Sequence, residues 1–101
     1  MSAAAFEQAT QDILKLTVPL TNTEKLNIYG LYKVAKGENI NATKAPSFYE
    51  LEAKAKRNAW QSRVDEGLTQ EQAQQEYAKT VEELKESHIF DPNKVPEKVR
   101  S

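Results

Sequence analysis

Leu26-Asn27-Ile28-Tyr29-Gly30-Leu31-Tyr32-Lys33-Val34-Ala35-Lys36 decides how this chain folds. Ile28, Leu31 and Ala35 recur at steps of three and four, the spacing that brings side chains onto one face of an α-helix. Apolar and polar residues do not alternate for long here or elsewhere, so strands find little support. At about 100° per residue, Tyr29, Tyr32, Lys33 and Lys36 cluster roughly 115° around from the apolar stripe. They border a buried face without belonging to its centre, and so set rings beside cations at the edge of a core.

The same periodicity extends outward from this helix. Upstream, Phe6, Ala9, Ile13 and Leu16 mark a helix over about 4–16, ended by Thr17-Val18-Pro19. Caps near Thr21 to Thr23 start the second helix, which runs to about Gly37. An Asn-rich loop over about 38–46 closes at Pro46, and Ser47-Phe48-Tyr49-Glu50 reads as a capping box. The third helix is expected to carry Phe48, Leu51, Ala55 and Ala59 on its core side, with Lys56, Trp60 and Arg63 on an adjoining side. A second capping box, Thr69 to Gln72, is flanked by Leu68 and Ala73 as a hydrophobic staple. It opens a fourth helix to about residue 87, with Ala73, Tyr77, Val81 and Leu84 in register. Beyond it, Pro92, Pro96 and mixed charge suggest a poorly ordered tail. The expectation is an all-α four-helix bundle over residues 1–88, a tail over 89–101, and a first helix packed on the fourth.

Composition narrows the function. The 101 residues suit one domain, and 14 Lys and Arg against 15 Asp and Glu give a net charge of -1. General nucleic-acid binding draws on a wide positive excess, so no nucleic-acid partner is expected and any cationic site is local. No secretory signal or membrane span is legible, which makes a soluble cytoplasmic protein the default and a monomer the simplest state. The absence of cysteine excludes thiolate metal sites and disulfides. The single histidine, His88, falls at the end of the fourth helix, where contact with the last carbonyls is its ordinary role, and no metal site or catalytic triad is read from it. The three glycines are isolated, so there is no phosphate loop. Asn41-Ala42-Thr43 matches a glycosylation acceptor only by coincidence. No enzyme is expected, and no cofactor.

The remaining signal is a binding surface. Tyrosines and lysines beside a core commonly do no more than pack and solubilise its rim. The third helix adds Lys54-Ala55-Lys56-Arg57-Asn58-Ala59-Trp60, and Tyr77 supplies a ring from the fourth. Rings that stack on a base, together with ammonium groups that pair with phosphate, make a nucleotide site without a phosphate loop.

Leu26 to Lys33, then Pro46, then Lys54 to Trp60, then Ala73, Tyr77 and Val81-Glu82-Glu83-Leu84 closely resemble the acyl-CoA-binding protein family. The match spans about residues 4–87 with order preserved. The resemblance implies an up-down-down-up four-helix bundle that binds medium- to long-chain fatty acyl-CoA esters, palmitoyl-CoA among them, for intracellular transport and pool buffering without catalysis. It further implies that Tyr29, Lys33 and Lys56 contact the CoA head, that Tyr32 lies beside them, that Tyr77 supports the site and the packing of the first helix, and that Trp60 is structural. Three positions depart from the family pattern: Val34-Ala35-Lys36 after Lys33, Arg57 in place of a tryptophan, and Leu14 where a basic residue is common. Arg57 either compensates for the charge absent at Leu14 or faces solvent, and Leu14 is available to extend an acyl groove.

Overall fold

The computed structural model describes the backbone of residues 2–94 and the side chains of residues 3–94. Four helices order the described chain: α1 (Ser2–Asp12), α2 (Asn22–Ala35), α3 (Leu51–Asp65) and α4 (Gln70–Ser87). Short 3-10 turns at Ile13–Lys15 and Ile40–Ala42 lie in the connections. No strand occurs among the described residues; Leu16 and Phe90 form one isolated antiparallel bridge. This is the all-α four-helix class read from the periodicity.

Local chemistry explains where the helices begin. At Thr21 the side chain accepts the Glu24 N–H and Glu24 returns a bond to the Thr21 N–H, satisfying two of the donors a helix start leaves open. Thr69 and Gln72 repeat the device at α4. The box expected at Ser47 is only half made. Glu50 accepts the Ser47 N–H, but its own N–H bonds the Ser47 carbonyl, so residues 47–50 turn once before α3 starts at Leu51. Phe48 therefore precedes the helix instead of riding on it, and it is 82% exposed. Leu51 is 73% exposed, so the core side expected for these two residues is corrected. Ala55 and Ala59 are half-buried.

The core joins three helices. Phe6 and Ala9 of α1, with Leu16 just beyond it, pack with Ile28, Leu31 and Ala35 of α2 and with Ala73, Tyr77, Val81 and Leu84 of α4. The packing of α1 on α4 expected from their stripes is present. An ion pair reinforces it: Lys85 reaches Asp12 at 2.8 Å, and Gln8 donates to the same carboxylate at 2.8 Å. Burial pushes the Asp12 carboxyl up, but these hydrogen bonds and the Lys85 charge outweigh it and hold the group below its ordinary value.

Helix α3 stands outside this core and packs chiefly on α2. Its one buried residue is Trp60. Gly30 makes the approach possible, because a Cβ there would lie 2.8 Å from the Ala59 carbonyl oxygen. The glycine in the opening stretch thus sets the separation between the two helices that carry the Tyr and Lys residues.

Residues 89–101, expected as a loose tail, divide into two parts. Residues 95–101 lie outside the described residues. Before them, the Thr17 N–H donates to the His88 and Ile89 carbonyls, the Asp91 N–H to the Lys15 carbonyl, and Lys94 Nζ to the Leu16 carbonyl at 2.6 Å. His88 is buried, with Nε2 2.9 Å from Glu24 and Nδ1 2.6 Å from Ser87 Oγ. Its backbone N–H bonds the Leu84 carbonyl at the end of α4, but the ring meets Glu24 and Ser87 Oγ where contact with the last carbonyls was expected.

Candidate functional site

Tyr29 and Lys33 stand one turn apart on α2 and face Lys56 and Trp60, one turn apart on α3. Together with Thr43 and Pro46 from the connecting loop they line a hollow of about 220 Å³. Lys33 Nζ lies 5.5 Å from the centre of the Tyr29 ring and 5.3 Å from that of Trp60, while Lys56 Nζ is 5.8 Å from Tyr29. Both ammonium groups therefore sit in the attractive range of a ring face. Each has a carboxylate beside it, Glu38 at 2.9 Å from Lys33 and Glu52 at 3.4 Å from Lys56. The hydrogen bond from Lys33 to Glu38 raises its pKa against the opposing effect of burial, so Lys33 stays charged through neutral pH. Trp60 is buried, in keeping with the structural role implied for it.

The loop is tied to α3 by Arg57. Its Nη1 donates to Thr43 Oγ1 at 2.6 Å and its Nη2 to the Ile40 carbonyl at 3.2 Å. Neither contact was legible, because the acceptors lie 14 and 17 residues away in irregular chain. The basic character of Arg57 was the only signal.

Tyr32 and Tyr77 lie in a second group, apart from the lining of this hollow. Tyr32 is centred 6.0 Å from Phe6 and 6.2 Å from Tyr77, with Lys36 Nζ 6.0 Å from its ring. Tyr77 meets Phe6 edge-on at 5.1 Å. Phe6 of α1 and Tyr77 of α4 thus flank the Tyr32 ring of α2. Burial pushes the Tyr77 hydroxyl up to about 12. A phenol whose folded pKa is raised contributes stability that is whole below the unfolded pKa of 10.0 and lost as pH climbs towards 12. Melting temperature is expected to fall across that interval, by a loss on the order of 2 kcal/mol, and Tyr77→Phe should flatten this part of the profile.

A second groove opens beside the hollow, about 490 Å³ in volume. Leu26, Leu51 and Ala55 give it an apolar wall, and Asn22, Lys25 and Glu52 a polar margin. Lys56 lines both spaces, so the cationic hollow and the apolar-walled groove meet at one side chain. Exposed Leu51, misplaced as a core residue, belongs to this wall.

A family model described as acyl CoA binding protein matches residues 3–81. The chain belongs to the acyl-CoA-binding protein family. A putative acyl-CoA-binding protein from the genus Hypsibius is 40% identical over 83 residues, covering 82% of this chain and 90% of that relative. The acyl-CoA-binding protein of Dictyostelium discoideum is 37% identical over 79 residues, 78% of this chain and 90% of its own. Among solved structures, Oryza sativa acyl-CoA-binding protein 2 superposes with a TM-score of 0.74 at 30% identity, over 86% of this chain and 93% of that one. As in the rest of the family, the four-helix scaffold serves binding. The line of Ser87, His88 and Glu24 has the outline of a charge relay, but none of the three lines the hollow, and Glu24 is occupied in the α2 cap.

Proposed function

We propose that the chain binds medium- to long-chain fatty acyl-CoA esters reversibly, carrying and buffering them in the cytoplasm as a monomer. The observation that supports this reading is the meeting of a cationic, ring-lined hollow with an apolar-walled groove at Lys56. An acyl-CoA has the same two unlike ends. In this reading Lys33 and Lys56 hold phosphate and Tyr29 stacks on adenine. Tyr32, held by Phe6 and Tyr77, borders the head with Lys36. The acyl chain follows Leu26, Leu51 and Ala55. No described helix is long and apolar enough to cross a membrane.

Both ends are needed on energetic grounds. A charge-assisted hydrogen bond contributes roughly 1.5 to 3 kcal/mol net, so two lysines supply several kcal/mol. Each methylene covered adds about 0.8 kcal/mol, so on the order of ten carbons match or exceed the head group before association costs are subtracted. Long chains are therefore preferred, and the ester is kept soluble by covering the part that acts as a detergent. Calorimetric titration of the full chain should show palmitoyl-CoA binding far more tightly than CoA. Equal affinities for the two would refute the two-ended site.

A further inference from the structure

Four cations line the hollow: Lys33, Lys44, Lys56 and Arg57. Glu38 neutralises Lys33 and Glu52 neutralises Lys56. The other two have no carboxylate in ion-pair range among the described residues. Arg57 donates only to neutral oxygens, the Thr43 hydroxyl and the Ile40 carbonyl. Those two bonds occupy part of a planar fork that carries five N–H donors, and they hold the rest in a fixed orientation. A neutral side chain such as Gln would tie the loop without the cost of a half-buried charge lacking a counterion, with Lys44 adding a like charge on the same hollow. A second anionic group in the hollow relieves both costs, and it meets donors already ordered.

We propose that Arg57 and Lys44 add a second phosphate contact to the hollow beside Lys33 and Lys56, so that in this chain Arg57 itself contributes to the preference for nucleotides bearing two separate phosphate groups over those bearing one. This rests on the acyl-CoA reading, since the CoA head carries a ribose 3'-phosphate as well as a 5'-pyrophosphate. It assigns Arg57 a ligand contact beyond its tie to the loop.

The test compares adenosine 3',5'-bisphosphate with adenosine 5'-monophosphate by calorimetry at low and high salt, on the intact wild-type chain, R57Q and R57K, with palmitoyl-CoA as a control. The ratio of bisphosphate to monophosphate affinity is expected to fall about tenfold in R57Q, the loss of one charge-assisted contact. The salt dependence of bisphosphate binding should weaken with it, and R57K, which keeps the charge but not the fork, should fall between R57Q and wild type. If Arg57 only ties the loop, R57Q weakens both nucleotides equally or changes neither, and either result overturns the second contact. Wild type that binds palmitoyl-CoA while the ratio is unmoved in R57Q overturns the second contact alone. Wild type that fails to bind palmitoyl-CoA overturns the acyl-CoA reading along with it. Should R57Q fail to melt cooperatively, the R57K ratio decides, and a value equal to wild type with unchanged salt dependence overturns the proposal.

Discussion

Val81→Asp should abolish cooperative folding or lower Tm by more than about 15 °C, as followed by circular dichroism. Val81 is fully buried in the cluster that joins α1, α2 and α4. A carboxylate placed there loses its hydration and finds no free partner, because Lys85, one turn further on, already holds Asp12 and Glu82. An unpaired buried charge costs about 3–5 kcal/mol, and the packing of valine is lost as well. Domains of this size have roughly 5–15 kcal/mol in total, and each kcal/mol moves Tm by about 4–8 °C. A Tm within about 3 °C of wild type would show that α1 and α4 do not share this core.

The double variant Lys33→Ala, Lys56→Ala should bind palmitoyl-CoA at least about a hundredfold more weakly while melting within a few degrees of wild type. Each lysine supplies one charge-assisted contact, worth roughly ten- to a hundredfold. Lys33 should account for the larger share: its side chain is 23% exposed against 46% for Lys56, and it lies between the Tyr29 and Trp60 rings where water screens it less. Both residues stand on the rim of the hollow and outside the buried cluster, so the fold does not depend on them. Calorimetry of the single and double variants measures this directly. Unchanged affinity in the double variant would remove the head-group roles proposed for both residues.

What could be read from sequence, and what could not, follows from the range of each interaction. The stripes Ile28, Leu31, Ala35 and Ala73, Tyr77, Val81, Leu84 were legible because one helical face met one core. The boxes at Thr21 and Thr69 were legible because a cap and its partner lie three residues apart. Helix α3 misled for a related reason. It packs chiefly on α2, so little of its surface needs to be apolar, and a weak stripe drew in Phe48 and Leu51, which lie outside it or face a groove. At Ser47 the local motif was present, but a turn competed with the helix for its bonds.

The site divides along the same line. Tyr29 with Lys33, and Lys56 with Trp60, are neighbours within a helix, and spacing alone groups each pair. Their meeting across α2 and α3 depends on Gly30, whose role emerges only with the Ala59 backbone against it. Tyr32 shares its helical spacing with Tyr29 and Lys33, and Tyr77 lies in the core register of α4, so spacing could not show that these two rings meet each other apart from the hollow. The tie from Arg57 to Thr43 and the bridge from Leu16 to Phe90 are long-range contacts of irregular backbone, which leave no periodicity. Ile89 adopts a φ of 51°, a conformation disfavoured for a β-branched residue, and no local motif announced it.

The central claim is that one site holds two unlike ends of a ligand, and amide chemical-shift mapping of the isotope-labelled full chain tests it most directly. Titration with CoA should perturb Tyr29, Lys33, Lys56 and Arg57. Palmitoyl-CoA should perturb the same residues and, in addition, Leu26, Leu51 and Ala55 along the adjoining groove. Perturbations confined to another face, such as the α1 and α4 surface around Gln8 and Lys79, or shifts identical for the two ligands, would contradict the account.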